Sequence, residues 1–518
     1  MTKPPTEASL AQWQAQFRDA AAGHRLTATD VSAGIDLARG ALGTGRADLA
    51  ISILELLTNR LPRAAPGWQL LGFAYRDEQR MRESLSCFAR AAELAPEDAL
   101  SALAHAETRF ESGLAAAQLA RRALELAPDN PAAVGCCATA LAGEGQRRAA
   151  ENLLVGALAR QPDWLEGQKL LATLRWTGGD SSAFARGYAA ACRTLPRHLP
   201  LRLAWFRMVA QARDWEAAAR IIDDCERSFG MQPAFAVARV FIASESGDRA
   251  RAAVLFEQTS QLRDEVRELA WIRYCLRIGQ PEQAVEPALR LTSTVSARLA
   301  WPYLSLIWRL TGDARAAWLD GAPPYIRSYD LEFSADELEE LTVLLRGLHT
   351  AKSPYLEQSV RGGTQTDRPL FFRHEAIIAT WKSKIVAALR EYIAALPAPE
   401  PDHPLLGTPR EQLLFAGSWS VRLQAQGYHV SHTHPQGWIS SALYVALPLP
   451  AQLGAPPAGW LEFGRPAAEL GLYLPAYAQV EPRPGRLVLC PSTMWHATVP
   501  FQDGERTTIA FDVRPPAR

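Results

Sequence analysis

Four prolines recur at nearly constant spacing and divide the first part of the chain into segments of nearly equal length. Pro62, Pro96, Pro128 and Pro162 lie 34, 32 and 34 residues apart, and each follows a segment rich in Ala, Leu and Arg. Proline ends a helix because its ring clashes with the preceding turn and its nitrogen carries no hydrogen for the helical bond. The spacing therefore predicts repeated helix pairs, each too short to bury a core without its neighbours.

The segment that ends at the second of these prolines carries large and small residues in a recognisable order. Its markers lie at offsets 0, 3, 4, 7, 16, 20, 23 and 28, and they are Trp68, Leu71, Gly72, Tyr75, Ser84, Phe88, Ala91 and Pro96. Bulky residues fill the space between two antiparallel helices, and small residues stand where the helix axes approach closely. This order resembles the tetratricopeptide repeat, with Ser84 where Ala is usual. We predict an all-α solenoid over residues 1–325, with about eight or nine helix pairs.

Stacked repeats of this kind usually present a surface that holds a peptide or protein segment, so we expect such a partner. A scaffold that only buries its own hydrophobic stripes is the alternative. Trp164, Trp176, Trp205 and Trp215 are more simply explained as packing residues of the array than as ligand contacts.

Composition excludes several classes of partner. The 55 Lys and Arg residues balance 55 Asp and Glu residues, which argues against a nucleic-acid partner bound through a general basic field. Seven cysteines without regular spacing indicate free thiols in a reducing compartment. Residues 1–7 lead into a stretch without a signal peptide's apolar segment, and no apolar run is long enough to span a bilayer. We expect a cytoplasmic protein without a membrane partner.

Residues 326–405 are predicted to contain two helices that brace the domain after them. Ser334 and Glu337 form a capping box before an apolar-periodic stretch over residues 338–348. A second apolar face recurs at helical steps over residues 377–396 and ends at prolines. Between the two helices, residues 361–366 are polar and glycine-rich, and their composition favours a solvent loop.

Residues 406–518 are predicted to be β-rich. Strands are predicted over residues 413–423, 427–431, 438–447, 459–463, 485–490, 494–499 and 506–513. Roughly eight strands over about a hundred residues fit a compact jelly-roll barrel.

Three histidines in this last segment have the spacing of a metal site. On a strand, residues i and i+2 point to the same side, so His432 and His434 can reach one ion while His496 arrives from a distant strand. Arg506 lies ten residues after His496 in a predicted strand. A chelated metal beside a fixed cation is the layout that a dicarboxylate cosubstrate needs. Zinc would accept the same nitrogens.

The order of the motifs in this segment resembles the 2-oxoglutarate/Fe(II) oxygenases. The matching runs are residues 427–435 with His-x-His-Pro, 440–445, 485–492 and 506–511, and residues 361–366 look like a run found ahead of this domain in tetratricopeptide-fused members. The resemblance covers about residues 353 to 515. It implies a double-stranded β-helix, a jelly-roll and cupin-like fold, that uses Fe(II), 2-oxoglutarate and O2 to hydroxylate a C–H bond.

The resemblance also implies roles for individual residues. His432 and His496 match the first and last ligands of a His-x-Asp/Glu…His facial triad. Arg506 matches the basic residue that pairs with the distal carboxylate of 2-oxoglutarate, and Thr508 stands beside it in an Arg-x-Ser/Thr arrangement. Tyr444 is a second candidate donor to that carboxylate, and a role in the core is equally expected.

His434 departs from the triad because it stands where a carboxylate is expected. Three interpretations remain: His434 is a third ligand, which we prefer; it has turned away and water replaces it; or Glu462 supplies the carboxylate. His429 is expected on the side opposite His432, because it lies three positions earlier, and a surface or supporting role is expected for it.

These observations predict a 2-oxoglutarate- and Fe(II)-dependent dioxygenase, a hydroxylase that acts on a peptide or protein presented by the repeat array. Two alternatives remain open. In one, the β-rich domain is catalytically degenerate and the array acts as a scaffold for protein interaction. In the other, the domain is a cupin-like three-histidine metalloenzyme that uses no 2-oxoglutarate.

Overall fold

The computed structural model describes residues 11–15, 27–321, 325–356 and 358–515. The amino-terminal residues 1–7 considered above lie outside these ranges. The described residues form two compact units, one up to residue 160 together with residues 372–375, and one from residue 161 to 371 together with residues 376–515. The domain boundaries predicted at residues 325 and 405 stay predictions. No helix in the described ranges is long and apolar enough to cross a membrane.

Nine helix pairs in the described part of the chain confirm the predicted all-α array. Their bounds are α1 (Ala28–Gly43), α2 (Ala47–Arg60), α3 (Ala65–Asp77), α4 (Met81–Leu94), α5 (Ala99–Glu111), α6 (Ala117–Leu126), α7 (Pro131–Gly143), α8 (Arg147–Arg160), α9 (Leu165–Thr177), α10 (Arg186–Thr194), α11 (Leu199–Gln211), α12 (Trp215–Phe229), α13 (Pro233–Ser246), α14 (Arg249–Gln258), α15 (Glu265–Arg277), α16 (Val285–Leu291), α17 (Ala297–Thr311) and α18 (Arg315–Asp320). The first helix of each new pair begins 32 to 37 residues after the previous one. Each of the four periodic prolines stands two residues beyond a helix end.

The repeat that departs from the tetratricopeptide pattern at Ser84 shows why a serine is accepted there. The Ser84 hydroxyl is fully buried and donates to the carbonyl of Gly72 at 2.9 Å. Gly72 is itself required by packing, because a Cβ there would lie 2.7 Å from the ring of Phe88. The buried hydroxyl is therefore satisfied within its own helix pair, as a buried polar group must be.

In its described residues, the rest of the second unit contains nine strands in two antiparallel sheets. Their bounds are β1 (Arg327–Asp330), β2 (Val360–Gln365), β3 (Leu414–His429), β4 (Ile439–Ala446), β5 (Leu461–Phe463), β6 (Ala478–Val480), β7 (Arg486–Pro491), β8 (His496–Thr498) and β9 (Arg506–Arg514). The strand order is β1-β7-β4-β9-β3-β2 in one sheet and β6-β5-β8 in the other. The predicted jelly-roll is confirmed, but as two separate sheets of described strands rather than a closed barrel, because the short strands of the second sheet pair with one another.

The glycine-rich run over residues 361–366 is not the solvent loop that its composition favoured. It contributes to β2, which pairs antiparallel with β3. A Cβ at Gly363 would lie 2.3 Å from the carbonyl oxygen of Arg422, so glycine allows the two strands to approach. β3 is also a single long strand where the sequence predicted two.

Three further α-helices lie in the described part of this unit: α19 (Ala335–Leu348), α20 (Ala376–Ala394) and α21 (Pro450–Leu453). The predicted capping box opens α19, since Ser334 Oγ accepts from the amide of Glu337 at 3.1 Å and Glu337 accepts from the amide of Ser334 at 2.8 Å. Trp381 of α20 is fully buried and stacks on Phe333 at 3.5 Å between ring centroids. Both longer helices share one hydrophobic core with the strands, which agrees with a bracing role.

The last helix pair of the array contacts the loops that carry the candidate site. Trp495, next to His496, donates its indole hydrogen to the carbonyl of Pro302 in α17 at 2.8 Å. Arg298 in the same helix donates to the carbonyl of Gly437 at 3.0 Å. These bonds fix the backbone beside two of the three histidines.

Asp320, at the end of α18, links stability to pH. Its carboxylate accepts from Ser305 Oγ at 2.6 Å, and burial raises its pKa to about 6 against the opposing effects of that bond and of Arg309. Because the unfolded value is about 3.9, this carboxyl contributes stability at low pH that is lost as pH rises through about 6, up to about 3 kcal/mol. We expect Asp320→Asn to raise the melting temperature relative to wild type more at pH 8 than at pH 5. Equal differences at both pH values, or the same trend for the exposed Asp402→Asn, would contradict this assignment.

Candidate metal centre

The structure brings together the three histidines that the sequence singled out. His432 and His434 follow the end of β3, and His496 begins β8. The backbones of His432 and His496 exchange two hydrogen bonds of 3.1 and 3.0 Å, which sets the two residues side by side. One ring nitrogen from each of the three histidines lies within 4.8 Å of the others.

Each imidazole is oriented by a bond from its Nδ1 atom. His432 and His496 each donate to the carbonyl of the residue two positions earlier, at 2.8 and 2.9 Å. His434 donates to Oδ2 of Asp512 at 2.8 Å. Carbonyl and carboxylate oxygens only accept, so each neutral ring carries its proton on Nδ1 and keeps a lone pair on Nε2.

The Nε2 lone pairs of His432 and His434 lie close together. Nε2 of His432 and Nε2 of His434 are 3.1 Å apart. Two acceptors at this distance repel unless a positive charge lies between them. Two nitrogens bound at right angles to one ion, each at about 2.1 Å, would lie about 3.0 Å apart. The donor set therefore fits a divalent transition metal, for which imidazole is a common ligand.

Burial and charge act differently on the three rings. Burial lowers the pKa of His432 well below its usual value and that of His496 to about 4, with the neighbouring histidines adding to both effects. Burial also opposes the charged form of His434, but the charge of Asp512 and its hydrogen bond outweigh this and raise the pKa of His434. Among the three, His434 is the histidine that contacts a carboxylate.

Asp512 is the site residue that sequence reasoning missed. It is 5% exposed, it lines the cavity at the histidines, and its second oxygen accepts from Ser440 Oγ at 2.6 Å. A signal was present, because alternate residues of β9 from Arg506 through Thr508 to Asp512 share one face of the strand. All three line the same cavity.

Glu462, the alternative carboxylate, points elsewhere. It is 6% exposed, and its two oxygens accept from Nε and a terminal nitrogen of Arg465 at 2.7 and 3.2 Å. In the pairing of β5 with β8, His496 stands opposite Phe463, and Ala497 stands opposite Glu462. Because successive residues of a strand point to opposite faces, the side chain of Glu462 lies on the face of the sheet away from His496. Within the described ranges, Glu462 is not part of the histidine group.

His429 does not lie opposite His432 as expected. The two rings stack with centroids 5.6 Å apart, and Ser359 Oγ lies 2.9 Å from Nδ1 of His429 and 3.2 Å from Nε2 of His432. The expectation was wrong because β3 ends at His429, and the alternation of sides does not continue past a strand end. Burial lowers the pKa of His429 to about 3, with Arg506 the next contributor.

Arg506 is a buried cation with unused donors. It is 2% exposed, one terminal nitrogen donates to Thr498 Oγ1 at 3.1 Å, and its Nε has no hydrogen-bond partner in the described residues. In those residues it forms no ion pair with a carboxylate. Thr498 stands two residues after His496 on β8, which places it about 7 Å along the strand. A dicarboxylate could therefore reach both the guanidinium and the histidine group.

The other two predicted cosubstrate contacts differ in position. Thr508 is 5% exposed and lines the cavity beside Arg506. Tyr444 is fully buried and is not among the described residues that line the cavity. Its ring centre lies 4.9 Å from the guanidinium carbon of Arg506, so the ring stabilises the cation through a cation–π contact.

The three histidines, Arg506, Thr508 and Asp512 line one cavity of about 470 Å³. Its wall includes residues of both sheets, of the segment that precedes β2, and of the turn between α11 and α12. That turn contributes Arg213, which pairs with Glu469 at 2.5 Å. A volume of this size has room for a small cosubstrate and a substrate side chain together.

Residues 417–512 match the family described as "Putative 2OG-Fe(II) oxygenase". No curated protein matches the chain. Among solved structures, YrrB, described as a TPR protein with an unusual peptide-binding site, is 16% identical, with 36% of this chain and 96% of that chain covered and a TM-score of 0.30. A tetratricopeptide repeat protein from Parabacteroides merdae is 16% identical, with 46% and 96% covered and a TM-score of 0.31.

A third solved structure is similar to this chain. It is the viral collagen prolyl hydroxylase vCPH from Paramecium Bursaria Chlorella virus-1 in complex with 2OG, at 15% identity, with 38% of this chain and 99% of that chain covered and a TM-score of 0.26. The family match rests on the segment that carries the histidines and Arg506. The chain thus joins a helical array, whose repeat resembles the tetratricopeptide pattern, to a carboxy-terminal segment that matches the model of a 2OG-Fe(II) oxygenase family over residues 417–512.

Proposed function

We propose that this protein is a 2-oxoglutarate- and Fe(II)-dependent dioxygenase that hydroxylates a peptide or protein. The observation that carries the proposal is the convergence of one ring nitrogen from each of three histidines in the cavity that also holds Arg506, whose Nε has no hydrogen-bond partner in the described residues. The family match over residues 417–512 supports the class of chemistry.

In this proposal His432, His434 and His496 hold the iron. Their Nδ1 bonds fix the rings before any ion arrives, so little ordering is needed when the metal binds. Bound iron and 2-oxoglutarate supply the activation of O2 and the oxidation of a C–H bond. His434 is favoured over Glu462 as the third ligand, because the Glu462 carboxylate is held by Arg465.

Arg506 binds the distal carboxylate of 2-oxoglutarate. A guanidinium can donate two parallel hydrogen bonds to a carboxylate, and its burial strengthens them because water does not compete. Thr508 adds a hydroxyl on the same strand face, and Tyr444 limits the movement of the guanidinium by packing against it. Thr498 sets the remaining orientation through its bond to Arg506.

The substrate is proposed to reach the cavity from the repeat array. Arg213, in the turn between α11 and α12, lines the cavity that the histidines line. The segment before β2 is tied to α9, because Trp176 donates to the carbonyl of Pro354 at 2.9 Å and Thr177 accepts from the amide of Lys352 at 2.9 Å. A peptide held by these helices could therefore present a side chain to the metal site.

Anaerobic addition of Fe(II) and 2-oxoglutarate to wild-type protein tests the function. We expect a visible metal-to-ligand charge-transfer band, followed by succinate release on exposure to O2. A zinc-loaded sample is the matched control and should show neither. Iron binding without the band and without succinate would favour the three-histidine enzyme that uses no 2-oxoglutarate. Absence of iron binding would favour the scaffold.

A further inference from the structure

A buried chain of hydrogen bonds runs from His434 into the larger sheet. His434 donates to Asp512 Oδ2 at 2.8 Å, Ser440 donates to Asp512 Oδ1 at 2.6 Å, and the hydroxyls of Ser440 and Ser492 are 2.8 Å apart. Asp512, Ser440 and Ser492 are 5%, 2% and 1% exposed. Both oxygens of the carboxylate are thus committed to partners away from water.

The sheet and one glycine hold this chain in place. Ser440 of β4 stands directly opposite Asp512 of β9 in the strand register. A Cβ at Gly437 would lie 2.3 Å from Ser492 Oγ and 3.2 Å from Cβ of Asp512. The loop that follows His434 therefore packs directly on the network, and little space remains for Asp512 to change its direction.

The charge of the proposed metal site indicates what this hydrogen-bond network contributes. Three neutral imidazoles leave a divalent ion without an anionic ligand, whereas the usual facial triad includes one carboxylate. The other two histidines donate to neutral carbonyls. Asp512 therefore accepts its hydrogen bond from His434, the histidine that occupies the carboxylate's position in the motif.

We propose that Asp512 is a positioning residue that orients His434 and supplies, through its ring, the negative charge that a ligand carboxylate would otherwise provide. Ser440 and Ser492 hold Asp512 in that role. The inference rests on the metal site of the proposed function. It concerns metal affinity, so it can be tested without turnover.

The test is a visible-absorption titration with Co(II), a spectroscopic substitute for Fe(II). Loss of a group that orients a metal ligand typically costs 10- to 100-fold in affinity, so we expect Asp512→Asn to bind Co(II) about 10- to 100-fold more weakly than wild type. Glu462→Gln is the matched control, because it neutralises a carboxylate that is equally buried but bonded to Arg465. It should change the affinity less than about twofold.

A double-mutant cycle separates positioning from general damage to the fold. If Asp512 acts through His434, then Asp512→Asn should have almost no further effect on Co(II) affinity in a His434→Ala background. Ser440→Ala, which removes only one of the two bonds to the carboxylate, is the second variant should Asp512→Asn fail to fold. It is expected to weaken binding about threefold or more in wild type and not in His434→Ala.

Wild-type affinity in Asp512→Asn, or an equal loss with and without His434, would overturn the inference. Dependence of Co(II) binding on Asp512 in a protein that releases no succinate from 2-oxoglutarate would uphold it while the proposed function fails. A wild-type protein that binds no divalent metal would overturn both.

Discussion

His496→Ala is expected to lower the affinity for Fe(II) by more than about 100-fold, a larger loss than that of any supporting residue. His496 provides one of three converging nitrogens, and its backbone exchanges two hydrogen bonds with His432. Alanine keeps those backbone bonds and removes only the imidazole. The measurement is the iron content after anaerobic loading and desalting, together with a calorimetric titration.

The control for this variant is His105→Ala in α5, which removes an imidazole outside the histidine group. It should keep the iron content of wild type. Iron bound by His496→Ala in wild-type amount would contradict the metal site. An unchanged far-ultraviolet circular dichroism spectrum of the metal-free variant shows that the loss is not one of folding.

Arg506→Gln is expected to weaken 2-oxoglutarate binding by at least about 100-fold, because two charge-assisted hydrogen bonds at a buried site are lost. The glutamine amide keeps some donor capacity but no charge. Arg506→Lys should lose most of the affinity as well, since an ammonium cannot offer the planar pair of donors. Anaerobic titration of the Fe(II)-loaded protein, followed by the charge-transfer band, measures the affinity, and iron content should stay at the wild-type level.

Arg361→Gln is the matched control, because Arg361 lines the same cavity but donates to the carbonyls of Gln358 and Val360. Its effect on 2-oxoglutarate affinity should be no more than a few-fold. If Arg506→Gln binds 2-oxoglutarate as wild type does, the guanidinium is not the carboxylate partner. The three-histidine alternative without 2-oxoglutarate would then be favoured.

The helical array could be predicted well because its signals are local and repeated. Prolines that end helices and residues that pack two neighbouring helices lie within one repeat of each other, so the pattern and the contact coincide in sequence. The longer strands were also predicted near their observed bounds, since each carries apolar residues of its own.

Short edge strands escaped prediction for a physical reason. β2 contains two adjacent glycines, and β1 consists of the largely polar residues Arg327–Asp330. Such strands exist because a neighbour offers a free edge for hydrogen bonding, here β3 and β7. The pattern of the segment itself carries little information about that partner.

The sequence by itself determined the repeat period, the β-rich character of the last segment and four residues of the candidate site, namely three histidines and Arg506. It left the third ligand open. Only the tertiary structure decided that Glu462 pairs with Arg465 and that Asp512 accepts a hydrogen bond from His434. These contacts depend on strand register and on side-chain directions after a strand ends, and neither follows from periodicity along the chain.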